Sequence, residues 1–172
     1  PEYLEVIDRQ SARLRKLTED LIEASKASTG NMTVNAERTD VNVLLSQANG
    51  EYQSKLAARD ITTVLSLSEN SLFILADGRL LWRVFDNLLG NINKYAQSGT
   101  RVYLSSEHDR DGKVRITFRN ISHAPLNISG DELMERFVRG DASRNTEGSG
   151  LGLSIARSLV ELQGGTFDIE ID

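Results

Sequence analysis

From Tyr3 to Ala27 the chain runs without a Gly or a Pro, and that uninterrupted stretch constrains the rest. Apolar residues fall at Leu4, Ile7, Leu14, Leu17 and Leu21, spaced by threes, fours and sevens with one polar break at Ser11. This spacing predicts an amphipathic helix whose apolar stripe needs a partner. The partner could be the helix's own domain. A bundle or coiled-coil seam is the better reading, because the helix precedes the globular part and residues 25–31 read as its end.

The remainder of the 172 residues has room for one globular domain. Thr39-Asp40 caps a second helix, Val41 to Ala58. Two short β-rich runs follow, Ile61 to Leu67 and Leu72 to Leu75, and Asp77 caps a long helix from Gly78 to about Ala96. Val102 to Ser105 and Val114 to Phe118 flank a charged turn ending Asp111-Gly112, the pattern of a hairpin. Ile121 to Gly150 is loop-rich with one helical patch, Asp131 to Val138, and loops of that length usually carry function. Leu151 to Leu162 is a final helix, and Thr166 to Ile171 reads as a strand.

Composition narrows the function. Hydrophobic residues at 39%, charged residues at 26% and no apolar run near ~18 residues describe a soluble piece without membrane contact of its own. A net charge of −5 argues against broad binding to nucleic acid, so any phosphate ligand needs local positive charge. With no Cys and only His108 and His123, neither a disulfide framework nor a structural zinc site is available. The chain opens at Pro1 without a leader and reads as an excised fragment.

In the long helix Asn87, Asn91 and Lys94 stand at i, i+4 and i+7, within a sector of roughly 60°. Leu81, Val84, Leu88, Ile92 and Tyr95 occupy the neighbouring sector, which would face a sheet. Amide oxygens at such an edge can ligate a hard cation, and a Lys one turn on can meet phosphate. The same residues could instead cover the solvent side of a helix, although Asn87, Asn91 and Asn93 are costly there. At the start of the final helix, Gly148-Ser149-Gly150-Leu151-Gly152-Leu153 would let backbone N–H groups approach phosphate closely. It is neither the dinucleotide fingerprint nor a P-loop, and alone a lid hinge explains it equally well.

Together the two features are more specific. The run from Asn87 through Asn91 to Lys94-Tyr95 resembles the asparagine box of sensor histidine kinases. Glu135 to Asp141, with Phe137 and Arg139, followed by Gly148 to Leu153 resembles their phenylalanine and second glycine boxes. The resemblance implies an α+β fold: a two-layer α/β sandwich of the Bergerat type, its mixed sheet carrying helices on one face, preceded by a long N-terminal helix. Residues 1–30 would be the second helix of the dimerisation hairpin and residues 31–172 the catalytic ATP-binding domain, its last strand cut short.

On that resemblance the cofactors are ATP and Mg²⁺. Asn91 is the leading metal ligand, with Asn87 close to the metal or phosphates. Lys94 contacts phosphate and Tyr95 lines the adenine or ribose side. Gly148, Ser149, Gly150, Leu151, Gly152 and Leu153 wrap the triphosphate, while Phe137 and Arg139 position the lid and the γ-phosphate. Arg136, Arg139 and Arg144 supply local positive charge. Asn120, in Asn120-Ile121-Ser122, stands where the family usually has Asp-x-Gly-x-Gly, and its carbonyl can still accept from the adenine amine.

The same resemblance implies a homodimer through the N-terminal helix, a response-regulator receiver domain as partner, and a cytoplasmic position in a membrane-anchored bacterial sensor. No His precedes His108, so the phosphoacceptor is absent and autophosphorylation is not expected of this sequence alone. Two alternatives differ in class. A gyrase-like ATPase would carry a Glu one turn before Asn91, where Asn87 stands and cannot act as a base. A non-catalytic dimerisation or signalling module would keep the fold without the nucleotide.

Overall fold

The computed structural model describes residues 2–139 and 151–172, with side chains at 3–134 and 151–172. They form two compact units, Val34–Asn127 and a second built from the segments before and after it. No helix of the described residues is long and apolar enough to cross a membrane.

The Val34–Asn127 unit is assembled from β1 (Glu37–Asp40), α2 (Val41–Ala57), β2 (Thr62–Ser66), β3 (Phe73–Ala76), α3 (Gly78–Tyr95), β4 (Arg101–His108) and β5 (Val114–Arg119). β2 pairs parallel with β4, which pairs antiparallel with β5, giving a mixed sheet; β1 and β3 form a second, antiparallel ladder. Along β4 burial alternates, with Val102, Leu104 and Ser106 buried and Tyr103 exposed, as a strand covered on one face requires. α2 and α3 pack on each other, and α2 on β2 and β4. Val41, Leu45 and Leu56 of α2 are fully buried, as are Leu89 of α3 and Leu104 of β4. Phe85 meets Phe118 of β5 with ring centroids 5.5 Å apart. The unit is thus the expected two-layer arrangement, with helices on one face.

Both predicted caps form. The Asp40 carboxylate accepts from the backbone N–H groups of Asn42 and Val43, satisfying two donors that the first turn of α2 leaves open. Asp77 does more. Oδ1 accepts from the N–H groups of Arg79 and Leu80 at 3.0 and 3.4 Å. Oδ2 accepts from the Asn35 N–H and from Arg79 Nη2, each at 3.0 Å. One buried carboxylate therefore starts α3 and also fastens residue 35. At the other end of α3, Arg59 donates to the carbonyls of Asn93 and Ala96. The hairpin turn closes through Asp111 and Gly112 at φ 72° and 73°, a conformation that Asp and Gly adopt most readily.

The second unit contains α1 (Glu2–Ser28), α4 (Gly130–Arg139) and α5 (Gly152–Leu162). α5 packs against α1 and α4. α1 shields Asp20 and Ala27, with Leu17 and Ala24 half-buried, while Leu4, Ile7, Leu14 and Leu21 stay 60% exposed or more. Most of the apolar stripe read from the sequence therefore has no cover within this unit.

Three expectations need correction. Thr166 to Ile171 joins no ladder among the described residues, because extended backbone becomes a strand only when a neighbour's N–H and C=O groups match it. β1 was not foreseen, since Glu37-Arg38-Thr39-Asp40 has no apolar alternation and is a strand only through its pairing with β3. On α3 the fully buried side chains are Phe85 and Leu89, whereas Leu88 and Tyr95 are half-buried; the sheet-facing stripe is rotated from the predicted one.

The hydrogen bond from Asn35, foremost, and those from Arg79 and Leu80 hold the Asp77 carboxyl below its ordinary range, outweighing burial. A depressed folded-state pKa contributes stability above the unfolded value, and that contribution disappears as pH falls through the folded one. Asp77→Ala should lower unfolding stability by about 1–3 kcal/mol near neutral pH, a cap plus an orphaned buried N–H. The difference should shrink in urea titrations repeated below the ordinary carboxylate range; a gap independent of pH would refute the role.

Candidate nucleotide site

α3 presents its polar edge because its opposite face is committed to the core. Leu81, Val84, Phe85, Leu89 and Ile92 are buried, and turning the helix to bury Asn87, Asn91 and Lys94 would expose them. All three of those polar residues are half-buried on this edge.

Their hydrogen bonding differs. Asn87 Nδ2 donates to the Arg83 carbonyl at 2.9 Å, one turn back, which leaves its amide oxygen uncommitted. Asn91 makes no side-chain hydrogen bond among the described residues, though a half-buried amide normally finds a partner. Lys94 meets no carboxylate among them either, and its Nζ lies 4.9 Å from the centroid of the Tyr95 ring. The buried Asn93 Oδ1 also lacks a partner, and nothing described explains it.

Two oxygens of amide type at i and i+4 suit a hard cation such as Mg²⁺, which takes one or two protein oxygens and completes its shell with water and phosphate. Among the described residues no three acidic or His side chains gather that could hold a metal unaided. The donor set therefore fits Mg²⁺ as a companion of phosphate rather than as a lone ion. Lys94 and Arg59 bring two cations to the C-terminal end of α3, which favours positive charge, and so provide local compensation in an acidic chain.

Tyr95 closes the stripe beside Lys94. Past β5 the chain returns to it: Ala96 and Ser122 form an isolated bridge, and the Gln97 N–H donates to the Ile121 carbonyl at 2.8 Å. Asn120 lies at the exposed start of that return. His123 stacks near Tyr95 with planes 8° apart. The sequence gives His123 no role in the site. Its contact with Tyr95 depends on the pairing after β5, for which residue spacing holds no signal.

The other expected residues are placed unevenly. Leu151 stands at the N-cap of α5 and accepts from the Ile155 N–H and the Ser154 hydroxyl, Gly152 opens the helix, and Leu153 is buried. Phe137 and Arg139 lie on the α4 backbone with side chains outside the described residues, as is that of Arg136; Arg144, Gly148, Ser149 and Gly150 fall outside them altogether.

Residues 76–172, which include α3, match the model of the histidine kinase-, DNA gyrase B- and HSP90-like ATPases. The signal transduction histidine-protein kinase BaeS of Escherichia coli (strain K12) is 32% identical over 167 residues, 96% of this chain and 35% of BaeS. The chain thus spans about a third of that relative. Two solved structures share its fold: full-length ShkA in complex with AMPPNP (TM-score 0.83, 22% identity, 99% of this chain and 35% of that one) and histidine kinase ThkA in complex with response regulator protein TrrA (TM-score 0.72, 22% identity, 100% and 47%). Asparagine edge, two-layer architecture and matched residues agree: the chain belongs to the histidine kinase-, DNA gyrase B- and HSP90-like ATPase family.

Proposed function

We propose that this chain is the ATP-binding catalytic core of a sensor histidine kinase, passing the γ-phosphate of ATP to a His outside this sequence for relay to a response-regulator Asp. The observation that carries the reading is the uncommitted polar edge of α3, with Asn91 unpaired and Lys94 without a carboxylate partner among the described residues. Groups held half-buried without partners are costly unless a ligand satisfies them. In this reading Asn91 and Asn87 offer amide oxygens, Lys94 meets phosphate, and Tyr95 and Asn120 line the base. The resemblance assigns Gly148 to Leu153 to the phosphates and Phe137 and Arg139 to the lid. Mg²⁺, when bound, neutralises phosphate charge; the side chains position the nucleotide, and positioning is most of what phosphoryl transfer asks of a protein.

Asn87 favours transfer over hydrolysis. Its amide has no basic site, and its Nδ2 is already bonded to Arg83, so it cannot activate water. Residues 1–30 are read as the second helix of a dimerisation hairpin, whose exposed Leu4, Ile7, Leu14 and Leu21 would meet partner helices, and residues 31–172 as the catalytic domain. Partnership with a receiver domain is supported by the ThkA–TrrA complex, and a cytoplasmic position beneath a membrane anchor by the resemblance to sensor kinases.

Calorimetry of this chain should detect Mg²⁺–ATP with a Kd in the micromolar to millimolar range usual for substrates. Lys94→Ala should weaken binding about tenfold or more, the loss of a charge-assisted contact. No heat for the wild type at millimolar ATP would defeat the proposal. Joined to its acceptor helix, the protein should label a His with phosphate from ATP, and Asn91→Ala should cut that rate by about 100-fold or more. Steady phosphate release by this chain alone would instead favour the ATPase reading, and unchanged labelling in the variant would favour a non-catalytic module.

A further inference from the structure

His123 meets a single neighbour, Tyr95, through its backbone and through its ring. Its backbone N–H donates to the Tyr95 carbonyl at 2.9 Å. Its Nδ1 lies 2.9 Å from the same oxygen. Its ring is tilted only 8° from the Tyr95 phenol, with centroids 6.4 Å apart. A carbonyl can only accept, so Nδ1 carries the proton and donates. Parallel rings in contact at ~3.5 Å with this centroid separation are displaced sideways by about 5 Å. The imidazole therefore lies beside the Tyr95 ring rather than over it, and leaves the faces of that ring open.

The bridge between Ala96 and Ser122 and the bond from Gln97 to Ile121 already hold this segment to the end of α3 by backbone alone. The His123 side chain is exposed and buries little, so chain pairing does not account for it. What it adds is control of one aromatic ring, half-buried at the end of the polar stripe and beside Lys94. A ring held in place before binding has less rotamer freedom to lose when a flat ligand stacks on it.

We propose that His123 is a positioning residue that presets Tyr95 as the platform for the purine of the nucleotide. The inference rests on the nucleotide-binding reading above and adds a residue that acts through Tyr95 rather than on phosphate. His123→Ala should raise the KM for ATP about threefold to tenfold and leave kcat unchanged, since the lost preorganisation acts on binding. The measurement is ATP-dependent His labelling by the protein joined to its acceptor helix. His123→Asn, whose amide can still donate to the Tyr95 carbonyl, should recover part of the KM. In a Tyr95→Ala background, His123→Ala should have no further effect.

An unchanged KM in His123→Ala, a fall in kcat alone, or an equal effect with and without Tyr95 would each overturn the proposal. Should His123→Ala fail to fold, His123→Ser, which also removes the ring, should raise the KM in the same way, and an unchanged KM there overturns the proposal equally. These outcomes are distinct from failure of the underlying reading, which would show as no ATP binding or labelling by the wild type.

Discussion

The rotational setting of α3 is the constraint on which the rest of the first unit depends. One side of this helix supplies Leu81, Val84, Phe85, Leu89 and Ile92 to the core, and each large apolar side chain contributes roughly 1.5–3 kcal/mol of burial. A turn of one residue, 100°, would forfeit several of these at once. The edge that carries Asn87, Asn91 and Lys94 is therefore held by the packing opposite to it. Both ends are tied as well: the Asp77 carboxylate caps the start and the Arg59 guanidinium covers carbonyls at the finish.

Asp77 also connects parts of the chain distant in sequence. Besides the first turn of α3 it binds the N–H of Asn35, just ahead of β1, and β1 in turn pairs with β3, which leads back to Asp77. A displacement of the segment entering this unit would be felt at the helix bearing the polar edge through one buried carboxylate. Leaving such a group unpaired is far costlier than the net gain from any one of its bonds.

The chemistry of the edge is that of a holder rather than of a reagent. It offers amide oxygens, one ammonium and one aromatic face, in keeping with the positioning and charge compensation that the proposed phosphoryl transfer would need. In the proposed reading Asn87 favours transfer over hydrolysis, for a carboxylate at that position could activate water and an amide cannot. Asn120 stands where the resemblance implies Asp-x-Gly-x-Gly, and the pairing of Ala96 with Ser122 brings His123 beside Tyr95.

Much of this was legible in the residues. The caps at Asp40 and Asp77, the helices they start, the hairpin around Asp111-Gly112 and the Asn87–Asn91–Lys94 edge all follow from local rules: a side-chain oxygen within reach of open N–H groups, a 3.6-residue period, a turn that needs positive φ. Pairing between distant segments is not local, and there the sequence was silent or misleading. Glu37 to Asp40 is a strand because β3 lies beside it, while Thr166 to Ile171 has strand-like composition and no described ladder. Phe85 and Leu89 rather than Leu88 face the core, and His123 reaches Tyr95 only because the chain after β5 folds back on Ala96. Spacing along a chain determines which residues share a face; which face is covered, and by what, is decided by packing against partners that spacing does not name.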